Sequence, residues 1–226
     1  MFVCNFCQKE FRREQSLVVH LCEIKRRYQE QHEAGVRLGF QAYLKFYEIA
    51  QGSAKLKTYE DFAGSNYYRA FVKFGRYCVS LRAVNPPQFV SWLLKNNKKI
   101  DHWCHDSVYE QWLHYWLPTE SVQDALERGL KEIQNYVEEH PEFKNGISDY
   151  FRYVSPNRIC YHISTGRVSA WIVYNCTSGV EFLDSLSQEQ ISIVLPWINP
   201  DTWDKKFRDY AADQEWAKYI LTQAGL

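Results

Sequence analysis

The stretch FVCNFCQKEFRREQSLVVHLC, residues 2 to 22, carries Cys4, Cys7, His20 and Cys22. Two cysteines separated by two residues let a tight turn aim both thiolates at one ion, and His20 adds an imidazole; sulfur and nitrogen donors of this kind select zinc. A fourth donor one helical turn after His20 would fall on Ile24, which cannot bind a metal. The candidates are Cys22, His32 if the chain turns back, or water. A structural zinc site is closed by four protein ligands, which favours Cys22. Residues two apart on a helix point about 200° apart, so Cys22 reaches the ion only if the helix ends or unwinds near His20.

Phe2 precedes the first cysteine, Phe11 follows Cys7 by four, and Leu17 follows Phe11 by six. With the paired cysteines and a helix-borne histidine, this pattern resembles the C2H2 zinc finger. The resemblance implies Zn2+, a ββα unit with its hairpin over Phe2 to Phe11, and a helix from about Arg13. Arg13, Ser16 and Val19 would then occupy the base-reading positions, with Arg12, Lys25, Arg26 and Arg27 flanking as phosphate contacts. One finger reads about three base pairs, too few for a useful site, so non-sequence-specific or structure-specific contact is expected. The finger followed by HLCEIKRR also resembles small zinc-finger proteins of T4-type tailed bacteriophages. That likeness implies a phage-encoded accessory in DNA metabolism, transcription or packaging, acting in the host cytoplasm.

A second basic element lies in SNYYRAFVKFGRYCV. Arg69, Lys73 and Arg76 fall at i, i+4 and i+7, while Tyr67, Phe71, Phe74 and Cys78 form an aromatic face expected to be core. The basic stripe has few acidic neighbours on its own helix and could follow a phosphate backbone; Tyr68 is a candidate for stacking on exposed bases. Net charge over the chain is zero, but residues 1–100 hold 17 Lys and Arg against 8 Asp and Glu, and residues 101–226 hold 10 against 19. This asymmetry suggests a basic half facing nucleic acid, DNA ahead of RNA, and an acidic half facing a further protein. The opposite charges could equally attract one another.

DHWCHD, residues 101 to 106, concentrates His102, Cys104 and His105. Any catalysis would centre there, yet no hydrolase, kinase, P-loop or dinucleotide spacing surrounds it. A helix start with Trp103 packed beneath it accounts for the same residues, so no catalytic residue is assigned. Seven cysteines, an odd number with only three clustered, are not a disulfide framework and point to a reducing, intracellular setting. The chain opens on the cysteine motif without an apolar leader, and no run of about 18 apolar residues could span a bilayer.

The elements that must position these residues are mostly helical. Apolar spacing predicts a helix over Glu23 to Ala50, broken near Gly35, a loop over Gln51 to Lys57, and helices over Asn66 to Leu81, Pro86 to Lys95, Ser107 to Trp116 and Glu120 to Glu139. RICYHISTGRVSAWIVY, residues 158 to 174, places β-branched and aromatic residues on both sides of Ser164-Thr165-Gly166 and reads as a β-hairpin. The expected protein is mainly α: a finger over 1–24, a basic-to-mixed helical domain over 25–140, and an acidic α+β region over 141–226 that could pack with the preceding helices.

Overall fold

A turn across Cys4 to Gln8 reverses the chain at the start. Gln8 N donates to Cys4 O at 2.8 Å and Cys4 N donates to Lys9 O at 3.0 Å, and Gln8 takes a left-handed φ of 60°. Strands β1 (Phe2–Val3) and β2 (Glu10–Phe11) then pair antiparallel, Phe2 opposite Phe11 and Val3 opposite Glu10. This is seen in a computed structural model that describes residues 1–52 and 56–226. The centre of the loop expected over Gln51 to Lys57, residues 53–55, lies outside the described residues.

Helices α1 (Glu14–Val18), α2 (Glu23–Gln29), α3 (Ala34–Gln51), α4 (Tyr59–Ala63), α5 (Tyr68–Leu81), α6 (Pro86–Lys95) and α7 (Asp106–Trp116) follow. Then come α8 (Val122–Glu138), α9 (Tyr150–Tyr153), α10 (Pro156–Ser164), α11 (Ala170–Val173), α12 (Thr177–Asp184), α13 (Gln188–Ile198), α14 (Pro200–Asp209) and α15 (Ala211–Ala224). No described helix is long and apolar enough to cross a membrane. The chain divides into two compact units, Met1–Tyr109 and Glu110–Leu226.

In the first unit the helix expected over Glu23 to Ala50 is two helices, and the break falls at residues 30–33 rather than at Gly35. Gly35 instead lies buried in α3 at its crossing with α5. A Cβ on Gly75 of α5 would fall on Gly35 O and 2.5 Å from Gly39 N. Only glycines let the two backbones approach this closely. The crossing presses α5 against an aromatic core: Phe62 lies 5.1 Å from Tyr43 and 4.7 Å from Tyr68, and Trp103 lies 5.2 Å from Phe74. Tyr68 takes the core place expected for Tyr67; it is 4 % exposed, against 51 % for Tyr67. Buried among Phe62 and its neighbours, Tyr68 has no free ring face, which removes it as a base-stacking residue.

The second unit corrects the β-hairpin expected over residues 158–174: that run is helical. Pro156 sits at the first turn of α10, where its missing N–H costs nothing. Ile159, Cys160 and Ile163 are buried at helical spacing. Gly166 then turns the chain with φ 73°, while Arg167 N and Val168 N donate back to His162 O. The β preference of such residues reflects a half-buried pleated surface. Here Ile172 and Val173 are enclosed on all sides in α11, among Trp171, Phe182 and Leu126 of one core, so tertiary burial decides. The same core buries charged side chains in pairs: Glu120 accepts from Arg128, and Glu132 accepts from Arg167 at 3.4 Å. His162, 1 % exposed, shares a 2.6 Å hydrogen bond with the Tyr150 hydroxyl.

Candidate metal centre and basic groove

Helix α1 stops at Val18, and His20 lies just beyond its end rather than on it. Val19 closes the helix, residues 20–22 run on outside any helix, and Cys22 caps α2 in an extended conformation. The helix therefore ends where Cys22 needs it to. Lys25 Nζ donates to His20 O at 3.1 Å and fastens this connection to the first turn of α2. Phe11 stacks obliquely on the His20 ring at 4.7 Å, and Phe6 meets Tyr28 of α2 at 5.2 Å.

The donor atoms of Cys4, Cys7, His20 and Cys22 consequently all lie within 4.8 Å of one another, and this group could hold a metal ion. Cys4 Sγ stands 4.0 Å from Cys22 Sγ, and Cys7 Sγ stands 3.2 Å from His20 Nε2. A tetrahedral zinc with bonds of about 2.3 Å to sulfur and 2.0 Å to nitrogen places such donors roughly 3.5–3.8 Å apart, so the group fits an ion of that size. The Cys7 amide aimed at its sulfur lowers the Cys4 thiol from its ordinary value. Cys7 moves the other way: although the Lys9 amide pulls it down, burial and the neighbouring Cys4 and Cys22 sulfurs push it up. Thiolates this close repel one another, and a cation between them relieves the repulsion. His32 lies in the connection between α2 and α3, outside the group.

The remaining residues singled out in the sequence divide between the N-terminal segment and a groove. Arg12, Arg13 and Ser16 are exposed on the N-terminal segment, but Val18, Val19 and Leu21 beside them are exposed too, at 68 %, 80 % and 55 %. Lys25 is committed to the His20 carbonyl. Arg26, Arg27, Arg69, Lys73 and Arg76 line a groove of about 480 Å³ between α2 and α5, floored by Tyr68 and Val72.

The groove also holds carboxylates that sequence reasoning missed. Glu23 Oε1 accepts from Arg27 at 2.6 Å and from Arg69 at 2.9 Å. Glu33 accepts a fork of two bonds from Arg76 at 2.7 and 2.6 Å. Glu30 stands 3.7 Å from Arg76 and 4.0 Å from Arg26. The stripe lacks acidic neighbours on α5, as the sequence reads, but α2 and the start of α3 supply them. The visible signal was Glu23 four residues before Arg27 and Arg26 four before Glu30, pairs that share a helix face. The Arg69 and Arg27 guanidiniums hold the Glu23 carboxyl below its usual range, and Arg76 does the same for Glu33.

His102 and His105 stack at 5.0 Å on the surface, and Cys104 beside them is half-buried. Burial pushes the Cys104 thiol up, away from a reactive thiolate. Trp103 is fully buried and donates from Nε1 to Lys98 O at 2.9 Å, anchoring the turn. Among the described residues, Cys4, Cys7, His20 and Cys22 form the group of metal-ligating type, and these three side chains do not join one. Comparison of the chain with protein families, curated proteins and solved structures returns no match.

Proposed function

We propose that this chain is a zinc-stapled, non-enzymatic accessory protein that binds nucleic acid, DNA ahead of RNA, without reading a defined sequence. The observation that supports this is the convergence of five cations, Arg26, Arg27, Arg69, Lys73 and Arg76, on one groove against three carboxylates, Glu23, Glu30 and the Glu33 paired with Arg76. Such a groove keeps a positive excess that a phosphate backbone would neutralise. In this reading residues 2–22 are a C2H2-type finger with a His-x-Cys end, and Cys4, Cys7, His20 and Cys22 hold Zn2+. With all four positions taken by protein, the ion is structural, and the finger adds Arg12 and Arg13 at the margin. The acidic second half takes a protein partner. The likeness of HLCEIKRR to the phage finger proteins belongs to the same reading.

The test is a titration of a fluorescent duplex and a matching single strand at several salt concentrations. Log affinity should fall with log salt by about 0.9 per phosphate contact on duplex and about 0.7 on single strand. Lys73→Ala should reduce that slope by about one contact, and His102→Ala should leave it unchanged. Absence of binding at low salt overturns the reading. A second reading, a protein-assembly factor in which the metal only staples the N-terminus, is favoured by exposed Val18, Val19 and Leu21 where a nucleic-acid-reading helix would present polar side chains.

A further inference from the structure

Arg27 is held rigidly at the groove. Its guanidinium donates to Ala63 O at 2.6 Å and Ser65 O at 3.4 Å, at the end of α4, and lies 4.4 Å over the Tyr68 ring. Its side chain is 13 % exposed. Its NH2 remains for the groove and meets Glu23 Oε1, and Arg69, 79 % exposed, closes on the same oxygen from α5. Two guanidiniums on one carboxylate oxygen make a seat for an anion, with one jaw fixed and the other free to move.

We propose that this seat takes a phosphomonoester, the dianionic group at the end of a nucleic-acid strand or on a free nucleotide, and that Glu23 is its internal competitor. The inference rests on the polyanion reading of the same groove and narrows it to a terminal phosphate. Exchanging Glu23 for an internal phosphodiester trades one negative charge for another and gains little. A phosphomonoester brings close to two charges and three acceptor oxygens, enough to engage Arg27, Arg69 and the exposed Lys73 together. The dimensions agree: the lining spans residues 23–30 of the α2 segment and 68–76 of α5, roughly 10–12 Å of helix at 1.5 Å per residue. That length suits the end of a strand and is short for a track of successive phosphates.

The experiment uses the full metal-loaded chain and fluorescence anisotropy. Single strands of one sequence carry either a 5′-phosphate or a 5′-hydroxyl, and adenosine 5′-monophosphate serves as competitor. The phosphorylated end should bind about tenfold tighter or more, as expected for added charge-assisted hydrogen bonds. Glu23→Gln should strengthen binding of the phosphorylated strand severalfold, and Arg69→Ala, at an exposed position, should erase the difference between the two ends. Equal binding of both ends in the wild type and in Glu23→Gln overturns the inference and leaves the polyanion reading standing. Weaker binding in a folded Glu23→Gln protein overturns the role of Glu23. Binding of a fluorescent adenosine 5′-monophosphate, titrated directly, with no strand bound supports the seat and overturns the nucleic-acid reading. No binding of any of the three probes overturns both.

Discussion

Cys4→Ser, or excess chelator, is expected to strip the ion and unfold residues 2–22 while the core of the first unit around Phe62, Phe74 and Trp103 persists. The N-terminal segment has almost no interior of its own. Cys4 is buried, but Phe2, Val3 and Phe6 are 40 %, 40 % and 38 % exposed, and α1 buries no residue. A segment of this size cannot exclude enough apolar surface to fold unaided. A structural zinc supplies about 10–16 kcal/mol in finger peptides at neutral pH, so such an ion held by these four residues would outweigh every other contribution there. Metal analysis should give one equivalent per chain in the wild type and a large loss in Cys4→Ser. Amide exchange should rise across residues 2–22 and stay low in α5. Tryptophan fluorescence should barely move, because no tryptophan lies in that segment. Full protection of residues 2–22 without metal would overturn the staple.

The same experiment divides the candidate fourth ligands. Cys22→Ser should weaken retention by more than the roughly 10–100-fold typical of losing an outer-shell partner, and His32→Ala should have no effect. The consequence extends beyond residues 2–22. Cys22 caps α2, and Glu23 is its first residue, so release of the ion loosens the turn that places Glu23 between Arg27 and Arg69. Metal loss should therefore alter anion binding in the groove, although none of the ligands faces it.

The metal group was legible in the sequence because its geometry is local: four side chains within 19 residues, arranged by one turn and one short helix. The ends of α6 were legible for the same reason. Asn85 accepts from Gln88 N, and Pro86 and Pro87 open the first turn. What eluded the sequence is what distant segments bring together. Glu23 and Arg69 are 46 residues apart, Glu33 and Arg76 are 43 apart, and no periodicity on either helix reveals the pairing. The run over residues 158–174 misled because its β-branched residues are enclosed by a core assembled from α8 to α15, and total enclosure removes the alternation that distinguishes a strand. Tyr67 and Tyr68 show how fine the margin is. Phe71, Phe74 and Cys78 are buried as the spacing reads, but α5 starts at Tyr68, which leaves Tyr67 at the cap, exposed, and puts Tyr68 in the core.

Gly75→Ala should be the most damaging single-methyl substitution at the α3–α5 crossing. In an open helix this change gains about 1 kcal/mol of propensity. At residue 75 the new Cβ would overlap Gly35 O and lie 2.5 Å from Gly39 N. Both are backbone atoms of α3, so no side chain can rotate away, and the two helices must separate. Overpacking typically costs about 1–3 kcal/mol, and a rigid backbone obstacle belongs at or above the upper end. For a unit of this size a loss of about 3 kcal/mol lowers the melting temperature by on the order of 10 °C or more. Gly64→Ala is the matched control: its Cβ would meet Glu60 O at an ordinary 3.4 Å, and its stability should change by less than about 1 kcal/mol. The functional result follows from the geometry. Gly75 precedes Arg76, whose fork on Glu33 spans α5 and the start of α3, so separating the helices pulls that pair apart and widens the groove. Thermal unfolding followed by circular dichroism, together with the anisotropy titration on the folded fraction, checks both parts. A Gly75→Ala protein as stable as wild type would mean that α3 and α5 cross less closely than described.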